Sequence, residues 1–302
     1  MHQSDWTGVF PAITTPFTRD LGVDHAALAA HARWLIASGC VGIVALGSLG
    51  ESQTLLTDEK VEILATLREA LPAVPVIAGI AGLSTPECVS MAQRAATAGC
   101  DGLMVLPAYV YKGDWRETQA HYSAVIGATG LSCMLYNNPI AYGTDVTPDQ
   151  LAELADRHAN LHAVKESSGD VRRVTHLRAR LGSRLNIFAG MDDMILESVP
   201  MGAVGWIAGL VNAFPAESVR VFELVRDGRM DEARVLYDWF LPLLRLDTVP
   251  KFVQLIKLVQ EEVGRGTATV RPPRLVLEGE ERRAVVELVQ SAMATRPTAR
   301  NT

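Results

Sequence analysis

Eight short apolar runs, each fenced by glycine, proline or a polar turn, alternate with longer amphipathic stretches along this chain. The runs are Val9–Thr14, Gly42–Leu46, Val76–Ile80, Gly102–Leu106, Cys133–Tyr136, His162–Lys165, Asn186–Ala189 and Val204–Ile207. They are apolar on both faces, as strands of a parallel sheet covered on both sides must be. Helix starts stand between them at Asp24, Thr57-Asp58-Glu59, Ser84-Thr85-Pro86-Glu87, Asp114, Thr147-Pro148-Asp149 and Asp170. Eight strand–helix units in series predict an α/β fold, a closed (β/α)8 TIM barrel. A weak repeat agrees: Gly39-Cys40-Val41-Gly42 recurs as Gly99-Cys100-Asp101-Gly102 and as Gly202-Ala203-Val204-Gly205. The first glycine of each copy can end a helix in the left-handed conformation, and the second allows close approach before a strand.

After the eighth run the pattern is helical only, over Pro215–Asp227, Met230–Leu246, Val249–Val263 and Glu280–Ala294. One of these helices suffices to close a barrel. The expected division is therefore a barrel over 1–228, a C-terminal helical extension over 229–295 and a frayed tail over 296–302. With 48% hydrophobic and 21% charged residues the chain can build a sizeable core and is not disordered. A net charge of -6 offers neither nucleic acid nor an anionic membrane an electrostatic reason to bind. No apolar run approaches the roughly 18 residues of a membrane span, and the first residues lack the features of a signal peptide. Cys40, Cys88, Cys100 and Cys133 are scattered without C-x-x-C spacing, which predicts reduced, buried thiols in a cytoplasmic protein.

In a (β/α)8 barrel the chemistry sits where the strands end. Those ends carry Thr14, Ser48 in Gly47-Ser48-Leu49-Gly50-Glu51, Tyr109, Tyr136, Lys165, Gly190 and Gly209. They hold no histidine–carboxylate cluster of metal-ligand spacing, so no metal site is expected there. Lys165 stands out because the chain has only five lysines, and this one ends an apolar strand. Burial there lowers a lysine's pKa and frees an amine to attack a carbonyl; the competing reading is a strand-end lysine whose ammonium reaches water. Tyr136, one strand away, can shuttle a proton as a carbinolamine loses water, or be a core aromatic with a satisfied hydroxyl. Ser48 lies in a loop whose backbone N–H groups can hold a carboxylate, or in a plain tight turn. Glu51 reads as a complement to the following helix, His162 as a packing residue. Tyr142 and Asn212 lie in loops able to read the far end of a substrate.

Taken together these residues resemble the dihydrodipicolinate synthase / N-acetylneuraminate lyase family of Schiff-base aldolases. The likeness covers nearly the whole chain. It rests on Ala12-Ile13-Thr14-Thr15-Pro16-Phe17, on Gly47-Ser48-Leu49-Gly50-Glu51 for the family's G-x-x-G-E and on Tyr136-Asn137-Asn138-Pro139 for its Y-N-x-P. Val164-Lys165-Glu166-Ser167-Ser168-Gly169-Asp170 matches the lysine segment, and Gly190-Met191-Asp192-Asp193 the end of strand 7. The resemblance implies that Lys165 forms the imine, with no cofactor beyond it, and that Tyr136 moves protons. It implies that Ser48 relays protons between Tyr136 and a second tyrosine, matched by Tyr109, donated across a subunit interface. A homodimer or homotetramer is expected accordingly. The substrate carboxylate would be held by the backbone of Ser48 and Leu49.

Departures from the pattern narrow the implied activity. Dihydrodipicolinate synthases carry an arginine shortly after Y-N-x-P; here that position is Ala141, followed by Tyr142 and Gly143. Leu49 replaces a loop threonine. With Tyr142-Gly143 and Val270-Arg271-Pro272-Pro273-Arg274-Leu275, the sequence is most similar to the Δ1-pyrroline-4-hydroxy-2-carboxylate deaminase branch. That implies a small 2-oxo or cyclic 2-imino acid substrate giving 2-oxoglutarate semialdehyde and ammonia. The alternatives are a 2-keto-3-deoxy sugar acid dehydratase or aldolase, dihydrodipicolinate synthase itself, and a catalytically silent ligand-binding barrel.

Overall fold

The computed structural model describes residues 1–297. Eight parallel strands run β1 Gly8–Pro11, β2 Ile43–Ala45, β3 Val76–Ile80, β4 Gly102–Val105, β5 Ser132–Asn137, β6 Leu161–Glu166, β7 Asn186–Ala189 and β8 Gly205–Ala208. Each pairs with its sequence neighbour, and β1 pairs with β8. The ring closes between β1 and β2 through an Ala12–Val44 bridge and the bonds from Val41 N to Val9 O (3.1 Å) and Ile13 N to Val44 O (3.0 Å). The eight expected strands are all present, with ends that differ by no more than three residues. The fold is a (β/α)8 TIM barrel.

Outside lie α1 His25–Ala37, α2 Thr57–Ala70, α3 Thr85–Thr97, α4 Trp115–Ile126, the short α5 Pro139–Tyr142, α6 Pro148–Arg157, α7 Arg172–Leu181, the short α8 Ile195–Ser198 and α9 Pro215–Arg226. Local chemistry starts them where the sequence indicates. Asp24, Ser84, Asp114 and Thr147 each accept a bond from a backbone N–H of the first turn, and Pro148 occupies the first position of α6. The glycine repeat does what its spacing implies. Gly39, Gly99 and Gly202 have φ of 103°, 84° and 118°. A Cβ on Gly42 or Gly205 would fall 2.3 Å from the ring of Phe10 or Phe188. Those two rings and Trp6 pack with centroids 5.7–6.1 Å apart and plug the N-terminal end of the barrel.

Three further helices follow: α10 Met230–Leu244, α11 Phe252–Glu262 and α12 Gly279–Ala294. A 3-10 turn, Arg245–Asp247, joins α10 to α11. Of the tail expected to fray, Arg296 pairs with Glu217 of α9 at 2.5 Å, and positions 298–302 lie outside the described residues. The four cysteines are free and buried. Among the described residues no helix is long and apolar enough to cross a membrane.

Candidate active site

A cavity of about 460 Å³ opens at the C-terminal ends of the strands. Its wall includes Ser48, Leu49, Tyr136, Tyr142, Lys165 and Gly190. Six of the nine site residues expected from sequence therefore share one space.

Lys165 and Tyr136 are register partners on β6 and β5, so both side chains leave the same face of the barrel. The Lys165 ammonium lies 4.4 Å from the centre of the Tyr136 ring, and the lysine is only 7% exposed. Burial pulls its pKa down to about 8, against the opposing pull of the Asp247 and Asp192 carboxylates. Its stem has room because residue 190 is glycine: a Cβ there would meet Lys165 Cγ and Cε at 2.9 Å. Burial likewise pushes the Tyr136 phenol up. Asn138 Nδ2 donates to its oxygen at 3.0 Å while Asn138 Oδ1 caps α5 at Ala141 N, 3.0 Å. The phenolic oxygen is thus held as an acceptor, and its proton points elsewhere.

Tyr142, the last residue of α5, stands between the expected relay groups. Its ring meets Tyr136 edge-on at 5.7 Å and leans on Tyr109 at 5.7 Å. Its hydroxyl is hydrogen-bonded to Ser48 Oγ. Within the chain Ser48 therefore meets Tyr142 and also neighbours the Tyr109 hydroxyl. Tyr109 accepts a bond from Gln53 Nε2 at 3.0 Å and is outside the cavity wall.

Two expected substrate contacts are corrected. Thr14 and Asn212 are buried behind the wall. Thr14 Oγ1 donates to Gln260 at 2.9 Å, while Asn212 Nδ2 donates to the carbonyls of Ala12 (2.9 Å) and Gly209 (2.8 Å). Asn212 Oδ1 also accepts from Thr14 N at 3.3 Å. The Thr14 hydroxyl is thus turned to α11 and the Asn212 amide to the backbone beyond β1 and β8, away from the cavity. Glu51 is corrected as well. It precedes α2 by a full turn and is wholly buried, with Lys257 Nζ donating to it at 2.7 Å and Arg271 N at 3.1 Å. It fastens the C-terminal segment to the β2 loop. His162 does pack, with Nδ1 2.7 Å from Ser132 Oγ.

The sequence reading overlooked what the C-terminal helices contribute. Asp247, Thr248, Val249, Pro250, Phe252 and Arg274 all line the cavity. Asp192 was also passed over. It is buried beneath the lysine and accepts bonds from Trp206 Nε1 (3.0 Å), Gly209 N (3.0 Å) and Leu210 N (2.8 Å). The run Gly190-Met191-Asp192-Asp193 did mark that segment; nothing of strand-end type marks Asp247 or Arg274.

Over residues 5–292 the chain matches the sequence profile of the dihydrodipicolinate synthetase family. The chain belongs to this family. It is a dihydrodipicolinate synthetase-family lyase, within the class I Schiff-base aldolases. A 4-hydroxy-tetrahydrodipicolinate synthase of Haloarcula marismortui is 32% identical over 277 residues, 91% of this chain and 90% of its own. A protein of Saccharopolyspora erythraea named a probable 5-dehydro-4-deoxyglucarate dehydratase is 33% identical, covering 96% of this chain and 94% of its own. Among solved structures, a prophage protein of the family from E. coli K12, in complex with pyruvate, superposes with a TM-score of 0.89 at 28% identity, covering 95% of this chain and 99% of that one.

Proposed function

We propose that this family member is a Schiff-base lyase acting on a small 2-oxo or cyclic 2-imino acid that carries a leaving group at C4. The preferred substrate is Δ1-pyrroline-4-hydroxy-2-carboxylate, deaminated to 2-oxoglutarate semialdehyde and ammonia. The observation that carries the reading is the buried Lys165 amine facing the Tyr136 ring at 4.4 Å in a cavity at the C-terminal ends of the strands. Exchange of a ring imine onto Lys165 gives an iminium that serves as an electron sink. Loss of a C3 proton then yields an enamine able to expel the C4 hydroxyl. The double bond then migrates as protons leave C5 and its nitrogen and return to C3 and C4, making a C5 imine; water adds to it, ammonia leaves, and hydrolysis at C2 frees the lysine. Tyr136 is the group placed to move protons beside the imine, with Tyr142 and Ser48 behind it. The backbone of Ser48 and Leu49 is the proposed holder of the C2 carboxylate. We propose no cofactor, and an assembly of two or four copies.

A second reading is a dehydratase of open-chain 2-keto-3-deoxy acids, favoured by the similarity to the Saccharopolyspora protein. It uses the same elimination without ammonia. The synthase reading is weaker because Ala141 lines the cavity where synthases of the family carry an arginine. Borohydride reduction with pyruvate should fix a covalent adduct on Lys165; absence of the adduct would sink every imine-based reading. A substrate panel then separates them. Semialdehyde with ammonia from the pyrroline supports the deaminase, and semialdehyde from a deoxypentonate alone supports the dehydratase. Efficient condensation of pyruvate with aspartate semialdehyde would restore the synthase.

A further inference from the structure

Asp247 enters the cavity from outside the barrel proper, on the turn between α10 and α11. Its carboxyl lies against residue 209, where any Cβ would come within 2.0 Å of Asp247 Oδ1. Glycine at the end of β8 thus makes way for it. Oδ1 is closed off from solvent and has no hydrogen-bond partner. A carboxyl oxygen left bare inside a protein costs free energy unless a ligand meets it. Asp192 differs, since its oxygens are taken by Trp206, Gly209 and Leu210. Asp193 lies 3.9 Å from Arg245 and outside the cavity wall. Among the described residues, Asp247 is the one carboxylate near Lys165 that both lines the cavity and has an oxygen without a hydrogen-bond partner.

We propose that Asp247 is the acid that gives its proton to the departing C4 oxygen of the substrate. This rests on the lyase reading above and assigns the one step in it that the reading leaves without an acid. As the enamine collapses, its nitrogen lone pair re-forms the C2 iminium. The C2–C3 π pair becomes the C3–C4 double bond, and the C4–O bond breaks. The oxygen keeps that bond's electron pair, takes the Asp247 proton and leaves as water. Asp247 becomes a carboxylate facing the positive iminium, and regains a proton from the water that later hydrolyses the imine. The surroundings favour the protonated start. Burial and the negative charges of Asp192 and Asp193 hold the carboxyl well above the usual carboxylate range, and Lys165 opposes them. Tyr136 faces it as a neutral phenol, and Arg245 on the same turn is drawn toward Asp193.

The test compares wild type with Asp247→Asn on Δ1-pyrroline-4-hydroxy-2-carboxylate, on 2-keto-3-deoxypentonate and on the 4-chloro analogue of the pyrroline, whose leaving group departs without a proton. The variant should lose turnover of a 4-hydroxy acid by on the order of a hundredfold. It should keep 4-chloro turnover and pyruvate–borohydride trapping within about threefold. In the wild type, kcat on the 4-hydroxy acid should fall on the alkaline side as Asp247 loses its proton, and kcat on the 4-chloro compound should not. This second comparison needs no mutant to fold. Equal losses on both leaving groups, no loss on either, or matching alkaline limbs in the wild type would overturn the assignment. Loss of pyruvate trapping in the variant would overturn it too, by moving Asp247 to Lys165 activation. If the wild type traps pyruvate yet turns over neither 4-hydroxy acid, the lyase reading itself fails, and the assignment with it.

Discussion

An amine with a pKa near 8, as burial gives Lys165, is only about one-tenth neutral at pH 7. Only the neutral form attacks a carbonyl, so imine formation should quicken as pH rises toward 8 and level off beyond it. Borohydride trapping rates with pyruvate, measured across that range, check this; a rate already flat from about pH 6 upward would mean an amine far more depressed than the surroundings of Lys165 explain. Gly190→Ala should cut trapping at least tenfold, because the new methyl falls 2.0 Å from Ser167 Oγ and 2.9 Å from the lysine stem and both side chains must turn aside. Crystallographic or NMR placement of Nζ, with circular dichroism for the fold, separates a displaced lysine from an unfolded protein. Tyr136→Phe removes the proposed proton carrier and keeps the ring against the lysine. Turnover should drop by about a hundredfold or more, with imine trapping less affected.

At the scale of elements, the Gly47–Glu51 loop and the segment after α11 are one unit. Lys257 Nζ bonds both Glu51 (2.7 Å) and the Thr269 carbonyl (2.6 Å), and Arg271 N adds to Glu51. Lys257→Met leaves the buried Glu51 carboxylate with only the more distant Arg274 guanidinium, 3.9 Å away, and should cost about 3 kcal/mol in urea unfolding. Adding Glu51→Gln should recover a good part of that loss; no recovery would mean that the packing of the lysine stem, not the charge, carries the effect. The elements themselves were legible from sequence because each is written locally. Caps such as Asp114 and Thr147 start helices through their own side chains, and the glycine repeat closes αβ turns the same way. Lys165 showed because a charge ending an apolar strand is conspicuous in a chain with few lysines. Asp247 and Arg274 did not, since a helical stretch says nothing of which turn will hang over a barrel mouth. Thr14 and Asn212 misled for a related reason: a polar residue just beyond a strand can turn into the cavity or behind it, and only packing decides which.

For the molecule as a whole, the barrel wall and its helices keep all four cysteines covered. Burial pushes Cys40, Cys100 and Cys133 up to about 12 and Cys88 up to about 11, so the thiolate is scarce at ordinary pH. In the native protein an aromatic disulfide reagent should therefore label the thiols no faster than the chain unfolds, and denaturant should expose all four together. A single fast-reacting thiol in the folded state would contradict this. The C-terminal contribution to the cavity has one more consequence, and it concerns biosynthesis. A ribosome delivers Lys165, Tyr136 and Ser48 well before it delivers Asp247 and Arg274, and Glu51 waits for Lys257 until the chain is nearly finished. The nascent barrel therefore carries its reactive amine beside a half-built pocket and an unpaired acid. Competence arrives with the last helices, so a chain stalled before them is an incomplete enzyme, however well its strands have closed.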